Sequence, residues 1–172
     1  MVSLVNTELW APSIGRFILA MGSIESVMRQ CVVNWSSPTI YKHTKRMGLS
    51  PRLTLVGDLV QEQKFSAESK TVFLRALKEA TTLIQTRNTV AHHPLSLMLF
   101  HERDWPFEEG IFPNDSEEGS ITLEGLETAV QKAEKVASDL HEALALFRTK
   151  SIDEYLAEAT RTGLPASNGT TR

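Results

Sequence analysis

Residues 12–35 read PSIGRFILAMGSIESVMRQCVVNW, and this stretch decides the fold class. Its apolar side chains fall at Ile14, Phe17, Ile18, Met21, Ile24, Met28, Cys31, Val32 and Trp35. Spacing of three and four is held for about six turns at 3.6 residues each, so the segment predicts a long amphipathic helix with one face for a core. Ser36, Ser37 and Pro38 then stop it, because proline lacks an amide donor and restricts the residue before it.

The same reading extends along the chain. A shorter helix over 52–62 carries Leu53, Val56, Leu59 and Val60. A third helix is expected over 66–92, with Ser66 as N-cap, Glu68 in the first turn, and a stripe of Val72, Phe73, Leu77, Ala80, Leu83 and Ile84. Pro94 pushes His93 out of helical geometry and ends it. The apolar run 95–101 could be a strand, pairing with residues 119–122 across an acidic loop over 104–118 as a small β-hairpin. A long last helix over 122–149 starts at an N-cap, Thr122, and Ser151 with Glu154 suggests a separate terminal helix through Arg161. The expectation is an all-α, antiparallel four-helix bundle with a small hairpin before the last long helix: one domain over 1–162, and a polar, disordered tail over 163–172.

Bulk composition narrows the function classes. A chain of 172 residues with 41% hydrophobic and 23% charged residues suits one globular domain. No apolar run approaches the roughly 18–20 residues of a membrane span, and residues 1–8 lack the layout of a secretory signal, so a cytoplasmic protein with no membrane contact is expected. A single cysteine, Cys31, excludes an internal disulfide and a cysteine zinc site, and His101 with Glu102 lacks metal-ligand spacing, so neither metal nor cofactor is expected. The net charge of −3 argues against nonspecific coating of nucleic acid; any RNA contact should be local. The one basic concentration is Lys42, His43, Lys45, Arg46 and Arg52, next to Tyr41. It reads either as a solvated loop or as a rim in which Lys42, Lys45, Arg46 and Arg52 guide phosphates.

Chemistry concentrates in residues 86–94, Thr-Arg-Asn-Thr-Val-Ala-His-His-Pro. An apolar stripe gives way there to Arg87, Asn88, His92 and His93. On a helix Asn88 and His92 share a face one turn apart, whereas Arg87 lies roughly 140° from His92. Histidine titrates near neutrality and can pass a proton; arginine stays charged and forks onto phosphate oxygens; asparagine can orient a ribose or a ring. The alternative is that Arg87 and His92 serve only the helix end, satisfying terminal carbonyls. His93, before proline, reads first as a turn residue. Glu25 interrupts the first apolar stripe, where an unpaired carboxylate would be costly to bury, so it should either be exposed or meet Arg87 or another cation.

Arg87-Asn88-x-x-x-His92 resembles the Arg-polar-x-x-x-His signature of the HEPN superfamily, and Ala91 before the histidine matches its commoner form. Ile14-Gly15-Arg16-Phe17-Ile18, followed by Ile24-Glu25, is similar to the first helix of bacterial HEPN-like proteins. The likeness covers about residues 10–150. It implies a helical bundle that forms a homodimer through the motif-bearing helices, with Arg87, Asn88 and His92 as catalytic residues and Glu25 and His93 in support. It also implies a metal-independent endoribonuclease, of the kind found among toxins and phage-defence effectors, sometimes paired with a neutralising antitoxin. Other members of the superfamily are noncatalytic RNA- or nucleotide-binding or interaction modules, and the acidic balance of this chain fits that alternative.

Overall fold

The first helix, α1 (Thr7–Trp35), is the spine of the protein in its computed structural model, which describes residues 5–99, 107–113 and 116–162, with side chains as far as Phe147. The expected tail over 163–172, His101 and Glu102 lie outside the described residues. Asn6 caps α1 by accepting the Leu9 amide, and Glu8 sits in the first turn, where a carboxylate opposes the helix dipole. The helix thus starts ahead of Pro12, which it carries inside. At the other end both the amide and the hydroxyl of Ser36 donate to the Val32 carbonyl. Ser37 then caps a helix absent from the sequence reading, α2 (Pro38–Thr44). Pro38 ends one helix and begins the next, since its missing amide costs nothing at a first helical position. The basic segment read as a loop is therefore largely helical.

Four more helices and one hairpin complete the fold: α3 (Leu49–Glu62), α4 (Ala67–Thr82), α5 (Ile84–His92), β1 (Leu95–Leu99), β2 (Phe107–Ile111) and α6 (Leu123–Thr162). The all-α class holds, with a two-stranded sheet before the last helix. The single helix expected over 66–92 is broken at Leu83. Thr81 and Thr82 donate their hydroxyls back to the carbonyls of Leu77 and Glu79, a competition that bends helices, and Leu83 leaves regular geometry at ψ −9°. The chain resumes one residue later as α5, whose first bond runs from the Arg87 amide to the Leu83 carbonyl. At the far end α6 runs unbroken to Thr162, so the Ser151–Glu154 pair starts no separate helix; no glycine or proline interrupts residues 148–162.

The hairpin exists with a different partner from the one expected. β1 pairs antiparallel with β2, Leu95 opposite Ile111 and Leu99 opposite Phe107, and residue Ile121 instead adds a bridge to Ile111. Glu108 and Glu109 disguise β2 as an acidic loop, yet Glu109 accepts the Asn6 amide at 3.0 Å and the Trp10 indole N–H at 3.3 Å. Gly110 is required: a Cβ there would stand 2.8 Å from the Phe112 ring and 3.2 Å from the Ile121 carbonyl. Gly119, at φ 75°, makes the left-handed turn before the bridge.

One core runs through α1, α3, α4 and α6. Arg16 forks onto Glu134 at 2.9 and 2.8 Å, and Ser23 meets His141 at 2.9 Å; both contacts span 118 residues, so α1 and α6 lie parallel and in register. The arginine's hydrogen bonds hold the Glu134 carboxyl below its usual range. This corrects the antiparallel expectation for that pair. The hairpin, tied to Asn6 and Trp10, returns the chain to the start of α1, and α6 enters beside it. α4 runs against α6, Phe73 meeting Phe147 while Glu79 lies near Lys135. Among the described residues no helix is long and apolar enough to cross a membrane.

The end of the core is an aromatic cluster. Trp35 sits edge-on to Phe65, Phe73 and Phe147, and Phe65 stacks on Phe147 with centroids 3.9 Å apart. Such contacts add to the area each ring buries. Phe147→Ala should lower the unfolding free energy by about 3–5 kcal/mol, the usual cost of emptying a buried phenylalanine site. The measurement is a lower urea midpoint at an unchanged slope. A shift below 1 kcal/mol would mean the cluster does not anchor α6.

Candidate functional site

The motif lies on α5, the helix that follows the break at Leu83. Thr89, only 2% exposed, and the part-buried Ile84 and Val90 hold α5 against the body of the protein. That seating directs Arg87 toward α1, where its Nη2 lies 3.8 Å from Oε1 of Glu25. Nη1 donates to Oδ1 of Asn88 at 3.4 Å. Both partners of the ion pair are about one-third exposed, so the pair orients Arg87 more than it stabilises the fold.

Arg87 and Asn88 open onto a cleft of about 470 Å³ between α1, the start of α3 and α5. Glu25 and Arg29 line it from α1, Lys45 from the end of α2, and residues 47–52 from the turn into α3. A smaller hollow of about 270 Å³ adjoins it toward Tyr41 and shares Arg29, Lys45 and Arg52. Four cationic side chains and one carboxylate line the larger cleft, so a protein of net charge −3 presents a locally positive hollow.

The remaining sequence candidates separate. His92 is exposed as the last residue of α5 and does not line the cleft; His93 is the extended C-cap, donating its amide to the Thr89 carbonyl. Of the proposed basic rim only Lys45 combines exposure with a place on the cleft; Lys42 and Arg46 are exposed but line neither hollow. Arg52 departs from the expectation of a phosphate guide. It is 8% exposed, and its Nη2 donates to the carbonyls of Thr44 at 3.3 Å and Met47 at 2.6 Å, closing the open end of α2. Arg16, part of the resemblance, is engaged by Glu134 away from the cleft.

Arg29 is the residue the sequence reading missed. It stands one turn after Glu25 on the same face of α1, so the position that nominated Glu25 could also have nominated it. Among the described residues no three His, Cys, Asp or Glu side chains converge to hold a metal ion. Chemically, the arrangement can receive an oxyanion. No protein-family model, curated protein or solved structure matches the chain.

The structural role of Arg52 is directly measurable. Arg52→Met should lower stability by about 2 kcal/mol in urea titration, because buried carbonyls lose a charged donor. Lys45→Met, at an exposed position, should change it by less than about 0.5 kcal/mol. Equal effects at the two positions would refute the capping role.

Proposed function

We propose that the protein is a metal-independent endoribonuclease that works as a two-fold dimer. The observation that carries this reading is the placement of Arg87 and Asn88 on a positively charged cleft, with His92 exposed one turn further along α5. The resemblance of Arg87-Asn88-x-x-x-His92 to the HEPN motif supplies the reaction class.

One protomer does not suffice for the chemistry. Arg87 is turned toward α1 while His92 faces solvent, and phosphodiester cleavage needs both a base and an acid. An isologous interface presents every residue twice and meets both needs. His92 of one protomer takes the proton of a ribose 2′-hydroxyl, and the 2′-oxygen bonds to the neighbouring phosphorus. The bond from phosphorus to the 5′-oxygen breaks as His92 of the second protomer protonates that oxygen. Arg87 stabilises charge growing on the phosphate oxygens, and Asn88 positions the group. The products are a 2′,3′-cyclic phosphate and a 5′-hydroxyl. The same resemblance places the enzyme among cytoplasmic toxins or phage-defence effectors restrained by an antitoxin protein.

A second reading, a noncatalytic RNA- or nucleotide-binding module, draws on the Glu25 carboxylate beside Arg87 and on the position of His92 outside the cleft.

Incubation with RNA and excess chelator separates the two. Wild type should cleave, while Arg87→Ala and His92→Ala should each reduce the rate at least a hundredfold with unchanged circular dichroism. Binding without cleavage would favour the module. Light scattering at micromolar concentration should give twice the chain mass of 19.2 kDa. A fully active monomer would exclude the shared site.

A further inference from the structure

The cations of the cleft are not equivalent. Arg87 has a carboxylate 3.8 Å away in Glu25. Arg29 and Lys45 pair with no carboxylate among the described residues; Lys45 lies 5.6 Å from the centre of the Tyr41 ring, and both side chains are exposed. Both line the larger cleft and the smaller hollow, so they stand where the two join. An anion entering this groove therefore meets at Lys45 and Arg29 cations that form no ion pair among the described residues, although Glu25 stands one turn from Arg29. At Arg87, by contrast, the Glu25 carboxylate 3.8 Å away must first be displaced or shared.

We infer that Arg29 and Lys45 form a second phosphate subsite, distinct from Arg87 and Asn88, which takes the phosphate next to the scissile one on a single RNA strand. The assignment rests on the ribonuclease reading for its ligand and on the groove for its geometry. The groove continues past the two cations toward Tyr41, giving the chain beyond that phosphate a path away from the reacting bond. The turn into α3 supports the same chemistry: the amides of Leu49 and Ser50, on the cleft wall, precede the first intrahelical donor, and Gly48 supplies no side-chain cap. Ground-state affinity then comes from Arg29 and Lys45, while Arg87 remains available for charge that develops during reaction. A compensated arginine suits that division, because binding substrate and transition state equally would not accelerate the chemical step.

The test uses the full chain and a ten-nucleotide, 2′-O-methyl RNA labelled with a fluorophore, which cannot be cleaved by 2′-hydroxyl attack. Anisotropy titrations over a range of salt give affinity and salt slope for wild type, for Arg29→Gln/Lys45→Gln, and for a charge-matched control, Arg75→Gln/Lys132→Gln, on exposed positions of α4 and α6 outside both hollows. The cleft variant should bind at least tenfold more weakly, with a salt slope shallower by about 0.7, the value for one phosphate contact on a single strand. The control should stay within twofold of wild type. Equal affinity and slope in wild type and cleft variant would overturn the subsite, as would an equal loss in the control or no binding by wild type. Binding that depends on Arg29 and Lys45, in a protein that leaves unmodified RNA intact, would uphold the subsite and remove the nuclease reading instead.

Discussion

The parallel packing of α1 on α6 is the constraint from which the other positions follow. Two helices aligned in the same direction cannot be joined by a short turn, so the intervening chain must travel the length of the bundle and return. α2, α3 and α4 make the first part of that circuit, and α5 with the hairpin brings the chain back to Asn6 and Trp10. Glu109 ties the return to the start of α1, and Ile121 pairs with Ile111 immediately before α6 begins. The register of the long helices is then marked by Arg16 on Glu134 and Ser23 on His141. Hydrophobic burial drives the contact; these exposed polar pairs select its direction and offset more than they stabilise it.

Within that frame a local conflict makes the cleft. α4 has a sound apolar face, but two successive threonines bond back to their own helix and the chain turns at Leu83. α5 packs on the core through Thr89, Ile84 and Val90, and Arg87 meets Glu25 of α1. On the opposite wall, Arg52 draws the end of α2 onto the start of α3, and so places Lys45 beside Arg29. One buried arginine thus shapes the hollow, a second is oriented by a carboxylate, and a third, with the lysine, forms no ion pair among the described residues. Equal formal charge leads to three different roles because burial and partners differ.

This placement gives an acidic chain one locally positive hollow. Four cations converge on one hollow while much of the negative charge lies elsewhere, as in the β2 strand and along α6. A local positive cleft in a negative protein concentrates the field at one place rather than spreading it over the surface, which disfavours indiscriminate coating of polyanions.

Much of the helical content was legible in the residues themselves. Apolar spacing located α1, α3, the body of α4 and α6, since burial of one face imposes a period of 3.6 on whatever sequence makes a helix. The Arg87–His92 spacing drew attention to the residues that α5 carries, though not to α5 as a helix of its own, and Glu25, as a charge on an apolar stripe, announced that it needed solvent or a partner. The sequence left α2 hidden in a basic run and gave no clear sign that α4 would break, although the devices at both places are short-range: Ser37, Pro38 and Arg52 for α2, Thr81 and Thr82 for the break. β2 was disguised behind two glutamates because Glu109 finds its partners, Asn6 and Trp10, about a hundred residues away. The sequence nominated Arg52 and Lys45 together as basic residues, and only the fold assigned one to carbonyls and left the other facing the cleft. Periodicity reports which faces are buried; which helix covers them, in which direction, and which charges meet are set by long-range contacts that no local spacing encodes.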